Sequence, residues 1–334
     1  TVLEAEPSLA YHASGRSAAA FIEDYGNDTV RELNRDSAEF LHLNDSRVLS
    51  SRGLLLIADK KQKSEFKKER KSFGLASITR KEAHSKLPII DIEKIKFAAY
   101  REDVFDLDTD LFFQNFLSET RKNGAKIVTN SKVNNIECLS CGWNVITTTR
   151  EFKAKILINA AGPWADEIAN LAKVKPIGFI PFKRSIAKIP IGERSNIGGW
   201  PFLFGVNESW YAKPDTGQLL VSPSEEEPCE PHDAWADDLT VAEGISRFEE
   251  YVKIRVKRIS AKWAGLRTFS PDRSLVIGFD PAKKNFFWLA GQGGYGFQTA
   301  ASASELVKDL ISNNPPKLSS QVIKNLSPIR FSKT

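Results

Sequence analysis

Residues 286–299 read Phe286-Phe287-Trp288-Leu289-Ala290-Gly291-Gln292-Gly293-Gly294-Tyr295-Gly296-Phe297-Gln298-Thr299. The apolar run at the start predicts a buried strand, and the spacing from Thr299 to about Ile311 predicts a helix. Between them stand four glycines in six positions, more than a tight turn requires. A strand that opens through such a loop into a helix gathers free backbone N–H groups and the positive end of the helix dipole at one point. That point suits a phosphate or the edge of a delocalised anionic ring, and the missing side chains let a flat group approach the backbone. By themselves the same residues also fit a plain turn.

A second unit of this kind lies at 155–172. Lys155 to Asn159 reads as a strand, Ala160-Ala161-Gly162-Pro163 as a turn, and Trp164 to Ala172 as a helix with Pro163 in its first turn. Further strands are expected at Thr1–Glu4, Gly53–Ala58, Lys126–Thr129, Lys132–Cys138, Trp143–Thr149, Trp263–Thr268 and Leu275–Gly278. The turn Ser140-Cys141-Gly142 makes two of them a hairpin. Asp28 is the expected cap of a helix to about Leu41, and Asp108 of one that Gly124 ends. Residues 178–222 read as strands and turns, and Val241–Tyr251 as a helix. Mixed helices and strands of this order argue an α/β nucleotide-type fold with an antiparallel segment added.

The composition, 334 residues with 41% hydrophobic and 27% charged, allows two modest domains around a cleft. A net charge of +5 is too mild to suggest nucleic acid. The lysine-rich stretch 59–73 has interleaved glutamates and reads as a solvated amphipathic helix. No apolar run is long enough to span a bilayer, and no secretory leader pattern is visible. Three cysteines make no disulfide framework, so a reducing, cytoplasmic setting is expected. Cys138 and Cys141 form a C-x-x-C without a second pair, and no metal site is expected. The four histidines are scattered, and no metalloprotease, serine-hydrolase or Walker motif occurs.

Individual residues carry chemistry. Glu4 closes a strand where a dinucleotide fold places an acid on ribose hydroxyls, although a strand-end carboxylate is also common at a surface. The G-x-G-x-x-G expected about 20 residues before it lies upstream of Thr1, where the strand-like start leads one to expect more chain. Arg267 ends a predicted strand, and its planar fork matches a carboxylate bidentately. Arg184 and Tyr211 sit in another strand region. Spacing alone leaves each of them open to a structural role.

Tyr11-His12-Ala13-Ser14-Gly15-Arg16-Ser17-Ala18-Ala19, Asn159 to Asp166, Trp263 to Arg267 and Gly291 to Thr299 together resemble the D-amino acid oxidase/glycine oxidase superfamily, nearest to FAD-dependent D-arginine dehydrogenase-like enzymes. The resemblance covers essentially the whole chain. It implies a Rossmann-like FAD-binding domain of the glutathione reductase type at 1–46, 98–176 and 262–334. It also implies an α+β substrate domain, mainly antiparallel, at 47–97 and 177–261. Glu4 then matches the ribose acid, Ser14, Gly15, Arg16 and Ser17 an FAD loop, Val133 an adenine contact, and Ala160 and Gly162 a further FAD turn. Gly265, Gly293, Gly294, Tyr295, Gly296, Phe297, Gln298 and Thr299 match segments beside the flavin. Arg267 looks like the carboxylate clamp, with Arg184 and Tyr211 as helpers and Tyr25 as an active-site tyrosine.

Two departures stand out. Ala20 occupies the place of a family histidine, and Leu54 that of a glutamate suited to a cationic side chain, so a smaller or more apolar substrate than D-arginine is expected. The implied reaction is hydride removal from the α-carbon of a D-amino acid or similar small amino acid to flavin N5, with the electron acceptor unspecified. The alternatives are an oxidoreductase for secondary amines such as sarcosine or for a modified nucleoside's side chain, and a non-catalytic amino-acid-binding module without flavin.

Overall fold

The computed structural model describes residues 1–43, 47–192 and 197–332, a mixed α/β fold. Its largest sheet has nine strands. In spatial order these are Glu227–Pro228, Ile180–Ile189, Gln218–Ser222, Tyr211–Asp215, Phe202–Gly205, Leu54–Ala58, Phe97–Arg101 and Ala76–Ile78, with Ala261–Phe269 also paired to Ile180–Ile189. All neighbours run antiparallel except Phe202–Gly205 beside Leu54–Ala58. Leu54–Ala58 is an unbroken apolar run because both its faces are covered. Leu55 and Ile57 join a core with Leu203, Trp210 and Phe248. Leu54 and Leu56 face the opposite way, onto Phe202, Phe204 and Tyr211.

The nucleotide-type half is built from smaller pieces. Val2–Leu3 pairs in parallel with Ile127–Val128. Leu157–Asn159 pairs in parallel with Phe286–Ala290, which continues antiparallel to Val276–Phe279. Parallel pairs need crossover connections, and the helices between them supply the cover. Helix Gly296–Ser312 packs on helix Asp28–Leu43, where the Ser302 N–H donates to Ser37 Oγ at 3.1 Å.

Most expected elements form, with informative differences. The first long helix is capped by Asn27, whose Oδ1 accepts the Val30 N–H at 3.0 Å, and Asp28 lies inside it. Strand Glu151–Ala154 and helices Arg80–Lys86 and Ser320–Leu326 were not read from the sequence. The Thr79/Glu82 capping box announces the first of these helices in retrospect. The expected domain boundaries at 97/98 and 261/262 fall at the ends of strands Phe97–Arg101 and Ala261–Phe269, both of which belong to the large sheet. The boundary at residue 46 lies outside the described residues.

Asn34 fixes the segment after strand Ala20–Phe21. It is fully buried, and its amide donates to the carbonyls of Glu23 and Tyr25 at 3.0 Å each. Asn34→Leu strips these acceptors of their donor. It should cost about 1–3 kcal/mol in denaturant unfolding and loosen the Tyr25 segment to hydrogen exchange. An unchanged unfolding midpoint would show that water replaces the amide.

Candidate active site

The register of the two longest paired strands sets the site. Phe182 stands opposite Arg267, and Arg184 opposite Gly265. Cross-strand partners share a face, so the two arginines project from one side as diagonal neighbours, about 7–8 Å apart at Cα. Tyr211 stands opposite Ser222, and Ala187 opposite Val221. By the same alternation Tyr211 lies on the arginine side, where it closes the aromatic cluster of Phe202 and Phe204.

Two guanidiniums on one half-buried face repel each other. Arg184 is 6% exposed. Burial first, and Arg267 second, hold its pKa below the usual value. Its Nη2 reaches Glu226 Oε1 at 3.4 Å, while Nε and Nη1 have no partner among the described residues. The buried Tyr211 hydroxyl has none either. Burial also works against the charge of Arg267, but nearby Tyr25, Tyr211 and Glu208 outweigh it and raise the pKa. The Tyr25 hydroxyl lies beside Arg267 and donates to Glu208 Oε2 at 3.0 Å. Buried donors left unsatisfied beside a second cation cost free energy, which an anionic partner would offset.

The glycine loop lies directly against this face. A Cβ on Gly294 would stand 3.0 Å from Arg267 Nη1 and 3.2 Å from Cζ, so the guanidinium packs where a side chain would be. Gly293 holds φ +54° and leaves room for the Phe269 ring. Beyond them the seventeen-residue helix Gly296–Ser312 starts without a side-chain cap, which leaves its first amides open. Tyr295 is buried edge-on to Tyr25, ring centroids 5.3 Å apart.

The turn Ala13–Arg16 is docked on the arginine strand. Arg16 Nη1 donates to the Ala264 carbonyl at 3.1 Å, its Nη2 meets Asp233 at 2.6 Å, and Trp263 Nε1 donates to the Arg16 carbonyl at 3.0 Å. Gly265 serves this packing, since its Cβ would meet Arg16 Cβ at 3.4 Å. Ser14, Gly15 and Ser17 remain exposed, as does Ala160. Gly162 holds φ +54° with nothing within 4 Å of its missing side chain. Phe297 packs at a tilt toward Phe112, Gln298 is buried and accepts the Ile22 N–H, and the Thr299 hydroxyl donates to the Tyr295 carbonyl. The side chains of Arg16, Gln298 and Thr299 are therefore engaged in holding the loops together. Glu4 and Val133 sit at the other end of this half, where the Ser131 N–H donates to the Glu4 carbonyl at 2.8 Å.

A cavity of about 610 Å³ opens beside Arg184, lined among others by Tyr25, Glu69, Asn207, Glu208 and Glu226, while Arg267 and Tyr211 are not among its lining residues. Most of this lining is polar or charged. Leu54 is fully buried in the core against Phe202 and Phe204, Ala20 packs on the same cluster, and neither lines the cavity. The acids were missed because they come from a helix and a loop with no shared motif. Glu69 lies on helix Lys63–Ser72, and burial first, with Glu208 adding to it, pushes its carboxyl up to about 7.

A family model described as DAO, FAD dependent oxidoreductase, matches residues 1–310. Human mitochondrial dimethylglycine dehydrogenase is 24% identical over 271 residues, 74% of this chain and 30% of that protein. The chain thus spans about a third of that relative's length. Among solved structures, glycine oxidase from Geobacillus kaustophilus aligns with a TM-score of 0.83 at 18% identity, covering 97% of this chain and 90% of that one. L-alpha-glycerophosphate oxidase from Mycoplasma pneumoniae with FAD bound aligns at 0.81 and 18%, covering 93% and 87%.

Two outcomes test this electrostatic picture. Arg184→Met removes an under-satisfied buried charge. It should leave thermal stability unchanged or higher while weakening the binding of a small carboxylate such as isobutyrate, followed by calorimetry, by about tenfold or more; weakened stability with carboxylate binding intact would reverse the assignment. For Glu69, the native state holds an extra proton between the usual carboxyl value of 4.5 and about 7. The stability it contributes is present below pH 4.5 and is lost as pH rises through 7. Glu69→Gln should flatten that decline in unfolding experiments between pH 4.5 and 8, and an unaltered slope would count against it.

Proposed function

We propose, since the chain belongs to the DAO family of FAD-dependent oxidoreductases, that it oxidises the carbon–nitrogen bond of a small amino acid whose carboxylate is gripped by Arg184 and Arg267. The observation that carries this reading is the pair of unpartnered donors on buried Arg184, beside the unpartnered Tyr211 hydroxyl. A carboxylate would take up one free edge of Arg184 and the Tyr211 hydroxyl and would relieve the repulsion between the two guanidiniums.

FAD suits the residues present. The open amides of helix Gly296–Ser312 and the bare backbone at Gly293 and Gly294 would take the ring edge. Ser14, Gly15, Ser17, Ala160 and Gly162 would line the approach, with Glu4 and Val133 toward the adenosine end. In this reading residues 1–46, 98–176 and 262–334 serve mainly the cofactor, and 47–97 and 177–261 mainly the substrate. When bound, FAD supplies the two-electron acceptor. The protein supplies orientation: the arginine fork fixes the carboxylate, Tyr211 adds a hydrogen bond, and Tyr25 with Tyr295 excludes water from the α-carbon. Such a grip admits a primary or an N-alkylated amine, and dimethylglycine dehydrogenase is a relative of the second kind. The motif likeness to D-amino acid dehydrogenases favours the D-enantiomer.

Anaerobic mixing with D- and L-amino acids, glycine and sarcosine should bleach flavin absorbance with at least one of them. Arg267→Ala should raise KM for that substrate about 100-fold, as expected for two lost charge-assisted bonds, with flavin content unchanged. Loss of flavin at unchanged KM would place Arg267 on the cofactor instead.

A further inference from the structure

The cavity holds more carboxylates than the protein neutralises. Asp24 is paired with Arg101, and Glu226 is bound by Arg273 at 2.9 Å and Arg184 at 3.4 Å. Glu208 and Glu69 also line the cavity, and neither has a cationic side chain in salt-bridge contact among the described residues. Glu208 is deliberately placed. It and Asn207 both hold left-handed backbone, φ +47° and +58°, which costs free energy for any residue with a Cβ. The Asn207 N–H donates to the Glu69 carboxylate, tying this turn to helix Lys63–Ser72. Tyr25 then fixes the Glu208 carboxylate from the other side at 3.0 Å.

Reach follows from the chain of bonds. Glu208 and the Arg267 guanidinium flank the same tyrosine hydroxyl, that of Tyr25, which donates to Glu208 at 3.0 Å. An α-amino acid whose carboxylate sits on Arg267 carries its nitrogen about two bonds further on, within hydrogen-bond distance of a group so placed. Resting on the carboxylate grip proposed above, we propose that Glu208 takes the proton of the substrate's ammonium group, with Tyr25 orienting it and Glu69 behind it as the proton's way out. One N–H bond breaks, the proton joins a Glu208 carboxylate oxygen to give the neutral acid, and the nitrogen keeps the electron pair that the oxidation needs. The charged or titratable groups facing Glu208 are Tyr25, Glu69, Arg184, Arg267 and Tyr295. Glu69, with its carboxyl at about 7, can take up and release a proton near neutrality.

The test uses 2-aminoisobutyrate, which has no hydrogen on its α-carbon, and isobutyrate, which has no amine. Calorimetry on the flavin-loaded protein should find the amine-bearing ligand bound at least about tenfold more tightly, as expected for one charge-assisted bond. Glu208→Gln should erase that preference while keeping isobutyrate affinity. With a turned-over substrate, Glu208→Gln should slow flavin reduction about 100-fold at pH 7 and recover as pH approaches the substrate amine's own pKa. Glu208→Asp, compatible with left-handed backbone, should fall between. An unchanged amine preference with isobutyrate still bound overturns this inference alone, as does a rate deficit equal at every pH. Failure of isobutyrate to bind the parent protein overturns the carboxylate grip and this inference with it.

Discussion

The site depends on one electrostatic constraint, two arginines forced onto the same face by the register of strands Ile180–Ile189 and Ala261–Phe269. A half-buried cation beside another is unfavourable, and the fold compensates only part of it. Glu226 meets one nitrogen of Arg184, and Tyr25 meets Arg267. The remaining donors keep their capacity for an anion from outside. Charge left uncompensated in this way costs stability, a cost often found where a functional site is proposed.

The surrounding parts hold this face in position. The turn Ala13–Arg16 is bolted to the arginine strand through Trp263, Ala264 and Asp233. Gly294 gives Arg267 a place to lie. Asn34 and Gln298, both buried, pin the segment that carries Tyr25 from two directions. On the far side, a strained two-residue turn presents Glu208. The cavity is thus bipolar, cationic where a carboxylate would enter and anionic where an amine would follow. A zwitterion of small size matches that pattern of charge better than a neutral ligand does.

Much of this was legible in the sequence where one local segment does the work. The strand Phe286–Ala290, the glycine loop and the helix after it form a continuous stretch whose apolar run, glycines and helical spacing all point one way. The family likeness already set Arg184 beside Arg267, and the pairing register supplies the physical reason, since it turns both side chains to one face. Glu208 and Glu69 were invisible in the sequence: one is a loop residue before Trp210-Tyr211, the other one glutamate in a lysine-rich helix. Leu54, which stands where a family relative carries a glutamate, is a further case in which sequence alone gives no direction to the side chain. The strand turned that side chain into the aromatic core.

A crystal structure of the flavin-loaded protein with a small carboxylate tests the central claim most directly. The carboxylate oxygens should lie within hydrogen-bond distance of Arg184 Nε or Nη1 and of Arg267, with the Tyr211 hydroxyl turned toward them. Density for the ligand elsewhere in the cavity, with the free donors of Arg184 filled by Glu226 or by water, would contradict it.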